Sequence, residues 1–421
     1  MTDQHQGFSI LKFYVWFIFL IPTFWGYTRG SNTIGQLFVS ISLFLYAVGS
    51  ILIYKYKIKL IKSYSILFFL QVAAYTLTLA IRQTDSFTNI SFSDYSDLSR
   101  PILYLIAVCF PVSLKLKEEE IIKLVRIIVK VSLLISVFDI IKLFSWGEDI
   151  MKLYTPLDPT SFNYQRLSGT FAYCYNYGFI LIFDLLFILY SFKRKLAWSI
   201  LTIALIFLTG SRSVLIATFL AIVLYFILSN KSIISKIIII LSTIFLISVI
   251  YSLLSFIDIP IVKDIIDNID KLLSIADNGI SSDGSAATRS RQLDFVLENF
   301  SEYPLLGAGP QKESSVPIEI QLGYYLSSWG VIGLIIFLSS LFTALYYAYK
   351  SFHPNNNDCI SFSKSNFIWI SAGLFVGMST PITDQIRVFQ IYYFIQGLQF
   401  CIYLKSHKTD NTYTSATKLM T

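Results

Sequence analysis

Run after run of apolar residues, each long enough to cross a lipid bilayer, constrains this chain more than any other feature. The segments 8–25, 34–54, 64–81, 101–114, 131–146, 171–192, 196–209, 213–228, 233–257, 318–349, 367–380 and 388–404 are about twelve such runs, and ~20 apolar residues make a helix that spans the hydrocarbon core. A soluble domain carries about a quarter of its residues as Asp, Glu, Lys and Arg, whereas here the share is 14%. The expected fold class is therefore an all-α polytopic membrane protein, with residues 1–421 forming a single membrane domain. A transmembrane β-barrel would alternate apolar and polar residues, and these runs are continuous.

The basic residues supply an orientation. Formal net charge is +7, which in a membrane chain marks cytoplasmic loops and not a nucleic-acid partner. Lys55, Lys57, Lys59 and Lys62 mark one such loop, Lys193, Arg194 and Lys195 a second, and Lys231 and Lys236 a third. Alternating from there puts both termini in the cytoplasm. The first run lacks a small-residue cleavage site, so it reads as a retained first helix. Between Lys117 and Lys130, Glu119, Lys123, Arg126 and Lys130 recur at helical spacing opposite an apolar face, which reads as an amphipathic helix on the cytoplasmic surface. Cys109, Cys174, Cys359 and Cys401 are scattered, with neither metal spacing nor a disulfide framework.

That topology separates lysine from arginine. Most lysines fall inside, but Arg29, Arg82, Arg100, Arg166, Arg212, Arg289, Arg291 and Arg387 all fall on the outer side, where the positive-inside bias disfavours cations. Guanidinium holds phosphate in a bidentate fork and never loses its charge. Arg29, Arg82 and Arg100 read as helix caps or partners of Asp94, Asp97 and Asp384; the remainder read as an anion site facing outward.

Most outer connections are short, but residues 258–317 form one long loop, and a long loop on a compact protein is usually functional. Its first part repeats Ile261, Ile265, Ile269 and Leu272, an amphipathic helix lying along the membrane. Its second part carries Arg289 and Arg291 on a helix whose apolar phase is Leu293, Val296, Leu297 and Phe300. Arg289 shares that phase, and a cation on a packed face calls for an anion. Arg291 aligns with Asp294 and Glu298, so an intrahelical ion pair is its bland reading. Arg212 lies in T-G-S-R-S, about 16 residues or roughly 24 Å of helix from the inner boundary. It should sit recessed in the membrane, facing a cavity, or else snorkel to headgroups. Asp184, in the middle of 171–192, reads as a hydrogen-bonded structural acid or an intramembrane functional one. The three histidines, His5, His353 and His407, all fall inside, so a proton acceptor on the outer face must be a carboxylate or water. Glu319, just before the tenth run, is the candidate base; ordinary solvation at a helix start is the alternative. The tenth run is long enough to hold a non-spanning first part. No metal-ligand cluster, P-loop or nucleotide motif is visible, and no cofactor is expected.

T-G-S-R-S at 209–213, the long loop with its arginines, P-L-L-G-A-G-P at 304–310 and W-G-V-I-G-L-I-I-F at 329–337 together resemble the O-antigen ligase/polymerase superfamily, most of all the Wzy-type polymerases of bacterial surface polysaccharides. Those polymerases carry arginine-then-glycine motifs in outer loops. Arg291 and Gly307 match the longer motif, with fifteen residues between them, and Arg166 and Gly178 come within one residue of the shorter. Ligases of the superfamily carry a His before the span corresponding to 318–349; a gapless count puts Glu319 at that place, which argues for polymerase.

The resemblance implies a GT-C-like helical fold in the bacterial inner membrane. It implies a donor glycan on polyprenyl diphosphate and an acceptor hydroxyl on a second lipid-linked repeat, with a chain-length regulator and a flippase as further partners. It places Arg212 with Arg289 or Arg291 on the diphosphate, Glu319 as base, Arg166 on phosphate or glycan, and Gly307, Gly309 and Arg387 at the substrate, without a metal. A ligase transferring glycan to lipid A core and a flippase for lipid-linked oligosaccharide are the alternatives. A transporter would show internal repeats, and none is evident here.

Overall fold

A computed structural model of the chain describes residues 2–23, 32–84, 90, 92–141, 144, 146–154, 166–229, 284–310, 318–352, 356–378, 382 and 386–418. The expected span at 233–257, the amphipathic helix at 261–272, and Arg29, His353 and Asp384 lie outside the described residues.

Among the described residues the regular structure is helical, without strands. The helices are α1 (Thr2–Leu20), α2 (Asn32–Ile53), α3 (Lys62–Arg82), a 3₁₀ segment (Phe92–Leu98), α4 (Ser99–Ser113), α5 (Glu118–Leu134), α6 (Val137–Ile141), α7 (Gly147–Met151), α8 (Cys174–Ser191), α9 (Lys195–Leu208), α10 (Arg212–Leu228), α11 (Gly284–Glu302), α12 (Gln321–Lys350), α13 (Asn357–Gly377) and α14 (Ile386–Lys418). Among the described residues, α3, α8, α12 and α13 are long and apolar enough to cross a membrane, and α9 and α10 are shorter apolar helices. The chain is an all-α polytopic membrane protein, as its apolar runs require.

One expected boundary is overturned. In place of a surface helix ending near Lys130 and a span over 131–146, the structure has one helix, α5, that turns at Ile135 and Ser136 into the short α6. Ile121, Ile122, Leu124, Val125, Ile128 and Val129 are buried against α1, α8 and α13, so the charged face reads as one side of a packed helix. Its first turn holds Glu118, Glu119 and Glu120, which suits the positive end of the helix dipole.

Packing centres on α8, buried nearly all round from Cys174 to Ile188, as a helix that is apolar on every side must be. Phe179 stacks on Trp369 of α13 at 4.6 Å, and the Trp369 Nε1–H donates to the Phe179 carbonyl at 2.7 Å. Polar side chains join α13 to α14: Asn366 and Gln396 exchange two amide hydrogen bonds of 3.0 Å, and Gln399 donates to Ser363 at 3.0 Å. Between lipid-facing helices such pairs, and small residues, hold what hydrophobicity alone does not. Among the described residues the four cysteines are free and buried.

Interhelix contacts gather the loops at two ends. Lys59 with Ser113, Arg126 with Asp358, Cys359 with Glu118 and Lys364 with the Leu228 carbonyl lie at one. Thr23 with Leu153, Arg82 with Gly307, Arg387 with Thr170 and Tyr324 with Asp97 lie at the other. Among the described residues, the connection carrying Lys59 and the segments carrying Arg82, Arg100 and Arg387 therefore lie at opposite ends of the helices.

Candidate functional site

The arginine-bearing end is built around a break in α12. Gly330 sits inside this helix at φ 63°, ψ −166°, so the helical ladder stops there. The segment 304–309 repairs it. Ser327 and Ser328 carbonyls accept from the amides of Ala308 (2.8 Å) and Gly309 (3.0 Å), while the amides of Val331 and Ile332 donate to the carbonyls of Pro304 (2.9 Å) and Leu305 (3.3 Å). Backbone groups freed by a break in a membrane protein must find such partners. The fit leaves no room for side chains: a Cβ on Gly307 would stand 2.4 Å from the Ser328 carbonyl carbon, and one on Gly330 would stand 2.3 Å from the Leu305 oxygen. Gly307 also has φ +70°, which only glycine adopts without cost. The long tenth run thus holds a first portion, 321–329, distinct from the portion after Gly330.

Two other elements clasp this junction. From α3, Thr78 donates to the Leu306 carbonyl at 2.8 Å and the Arg82 Nε–H to the Gly307 carbonyl at 2.8 Å. The Arg82 guanidinium lies 3.8 Å over the Tyr303 ring, and Tyr75 stacks on Trp329 at 3.6 Å. Arg82 therefore braces the turn. Arg100 pairs with Asp97 at 3.1 Å, as expected, and the other Asp97 oxygen accepts from the Tyr324 hydroxyl at 2.6 Å.

α11 docks on the first portion of α12. Asn299 donates to Ser327 at 2.8 Å, the Glu319 amide donates to Gln292 Oε1 at 3.1 Å, and Val296 covers Gly323. The buried stripe is Gln292, Val296 and Asn299, while Leu293 and Leu297 are about half exposed at 47% and 52%. The apolar phase expected from the sequence is corrected here: the helix rests on a polar, broken backbone, so amides face inward. Arg289, one turn before Gln292, is half-buried on that stripe; Arg291 is exposed, and no Arg291–Asp294 ion pair forms among the described residues. The Glu319 side chain is exposed just before the first portion of α12.

A second cluster surrounds the hairpin between α9 and α10. Thr209, Gly210 and Ser211 make the turn, and Arg212 opens α10, partly exposed. Arg166 lies against it: a Cβ on Gly210 would meet the Arg166 Nε, Cδ and Cγ at 3.1–3.4 Å. The Leu167 amide donates to the Leu208 carbonyl at 3.0 Å. Gly178 faces Val214, whose γ carbons would be 2.7 Å from an added Cβ. The R-L-S-G-T turn is itself held by Asp139, whose carboxylate accepts from the amides of Ser168 (3.0 Å) and Gly169 (2.6 Å). Arg387, 4% exposed, donates to the carbonyls of Thr170 and Ile21. Asp184 sits apart from both clusters, its carboxylate accepting from Ser132 of α5.

The clusters connect through α13. Lys364, early in α13, reaches the last residue of α10, so the two helices run antiparallel and Arg212 lies toward the Gly377 end. Gly377 in turn lies against the Gln321 side chain. Beside this junction is a small cleft lined mostly by apolar residues, among them Phe179, Phe337, Leu374 and Phe389, with Gln321 and Tyr392 as polar members.

Asp139, Thr78 and Asn299 were not singled out in the sequence. Asp139 carried a usable signal: it falls in an apolar run, as Asp184 does, and an acid in such a run is a site candidate by default.

Residues 197–338, a third of the chain, match the family model described as O-antigen ligase. Over that third of the chain, the match supports the O-antigen ligase/polymerase superfamily without separating polymerase from ligase. A search of curated proteins finds none that matches.

Proposed function

We propose that the chain polymerises lipid-linked oligosaccharide repeat units at the outer face of the cytoplasmic membrane. The arginine end faces outward, the lysine end and both termini face the cytoplasm, and residues 258–317 form an extracytoplasmic loop. An acceptor sugar hydroxyl attacks the anomeric carbon of a growing glycan. The bond from that carbon to the polyprenyl diphosphate oxygen breaks, the diphosphate leaves with the electron pair, and the hydroxyl proton passes to Glu319. Arg212, with Arg289 or Arg291, stabilises the developing negative charge, the kind of term that dominates such catalysis. Arg166 holds phosphate or glycan. Gly307 and Gly309 shape the turn against which these groups are set. Arg387, assigned to substrate from sequence, serves the site by holding the turn that carries Arg166.

The observation that supports this reading most is the docking of the arginine helix α11 onto the segment carrying Glu319, within the stretch that matches the family. A ligase is the second reading, favoured by the description of that family. Deleting the gene and running surface polysaccharide on a gel separates them. A polymerase defect leaves single repeat units attached, whereas a ligase or flippase defect leaves none. Complementation with Glu319→Gln should leave single units, because general-base assistance contributes about 10²–10⁴-fold. Full-length chains from that variant remove Glu319 as the base.

A further inference from the structure

We infer that Asp139 is a positioning residue, fixing Arg166 at the arginine site through the backbone of the turn between them. The inference rests on the polymerase reading for what Arg166 does, but not for where it is held.

The geometry runs in one connected series. Both Asp139 oxygens are engaged by consecutive amides, Ser168 at 3.0 Å and Gly169 at 2.6 Å. A carboxylate accepting backbone N–H groups makes hydrogen bonds about twice as strong as neutral ones. The opposite charge closes the other side of the turn, where Arg387 donates to the Thr170 carbonyl. Two residues before Ser168 the chain delivers Arg166, and the Leu167 amide ties it to the Leu208 carbonyl at 3.0 Å. The Arg166 side chain then lies across Gly210, two residues from Arg212, and beside the thiol of Cys174. The turn is anchored by an acid on one side and a base on the other, and the residue it presents is an arginine set against the hairpin of a second arginine. An acid serving only the first turn of α6 would not need both oxygens on a segment 29 and 30 residues away.

Asparagine in place of Asp139 keeps one acceptor oxygen but sets its NH₂ against the second backbone N–H. The turn should loosen, and Arg166 should leave Cys174. Cys174 is buried, so its alkylation reports on that movement independently of activity. The probe is N-ethylmaleimide on the full-length protein in detergent, with Cys174 read by peptide mass spectrometry separately from Cys109, Cys359 and Cys401, and with each rate followed across pH and compared per thiolate, because Arg166 beside the sulfur also favours the thiolate. Arg166→Ala sets the rate for an uncovered thiol. Asp139→Asn is expected to raise the Cys174 rate roughly tenfold or more toward it, the change that losing one charge-assisted hydrogen bond makes in a local opening equilibrium. Gly169→Ala, at φ +58° with Ile135 3.1 Å from its Cβ, loosens the same turn without altering charge and covers poor accumulation of the first variant. In cells, Asp139→Asn should shorten the polysaccharide while Arg166→Lys retains part of its length. Fast labelling in Arg166→Ala with slow labelling in both turn variants overturns the inference, as does slow labelling in all three. Fast labelling with full-length chains removes Arg166 from the reaction. Normal polysaccharide in the deletion strain removes the polymerase reading and leaves the labelling result to decide where Arg166 is held.

Discussion

The two arginine–glycine motifs solve different problems with one pairing of residues. In the shorter, Arg166 is drawn down onto Gly210 and Gly178 lets α8 close on Val214 of α10. Here the glycine permits two helices to touch, and the arginine lies in the joint. In the longer, Gly307 meets the backbone of the α12 break, and Arg291 stands exposed a helix away. Here the glycine completes a hydrogen-bonded junction, and the arginine belongs to an element docked on it. A contact with a side chain can yield, whereas a contact with backbone cannot. The difference teaches that the longer motif specifies the frame of the site and the shorter one its fit.

The largest effect should therefore come from Gly307→Ala. The substitution places a Cβ 2.4 Å from a carbonyl carbon and forces a non-glycine residue to φ +70°. Backbone strain of this kind costs about 1–3 kcal/mol, and the clash with a fixed junction adds to it. Thermal unfolding in detergent should show a loss of roughly 3 kcal/mol or more, with little folded protein recovered from membranes. An unfolding midpoint equal to the parent's would show that the junction is not the rigid frame described.

Next in size is the contest between Arg289 and Arg291. The comparison makes α11 a carrier, and its packed stripe puts Arg289 on the side of Gln292, which holds the Glu319 amide at 3.1 Å. Arg289→Ala should lower the chain-extension rate about 10²-fold, the scale for losing one donor to a developing oxyanion. Arg291→Ala should lower it about tenfold, as a more distant cation does through a more solvated path. Rates measured on purified lipid-linked repeats decide the order, and equal losses would place both guanidinium groups on the diphosphate. A larger loss for Arg291 would make the exposed position the one that reaches substrate.

The membrane fold was legible because lipid permits few alternatives to a long apolar helix. The inner construction of the site was not. Leu293 and Leu297 look like a packed face by periodicity, yet Gln292 and Asn299 are the buried residues. Apolar periodicity reports burial against apolar surface, and α11 is buried against the polar groups of a broken helix. Asp139 was legible only as an acid in an apolar run; what it holds was not, because its partners are backbone amides, which have no sequence signature. Gly330 was half legible, since the length of the tenth run already exceeded one crossing. The run 131–146 misled because an apolar run shows where helix can form and not where it turns; the turn falls at Ile135 and Ser136.

The smallest predicted effect is the sharpest test of fit against frame. Gly178→Ala meets the two γ carbons of Val214 at 2.7 Å, a flexible obstacle compared with a peptide group. Overpacking of this size costs about 1–3 kcal/mol, and α10 can shift to absorb part of it. Val214→Ala removes the obstacle and leaves a cavity of its own. The double variant should therefore be more stable than the two single losses add up to, with a coupling of about 1 kcal/mol, within the range seen for touching residues. No comparable partner exists for Gly307, because a peptide group cannot be trimmed. If Gly178→Ala and Val214→Ala add without coupling, the shorter motif is not a helix–helix contact, and the contrast between the two motifs fails at that point.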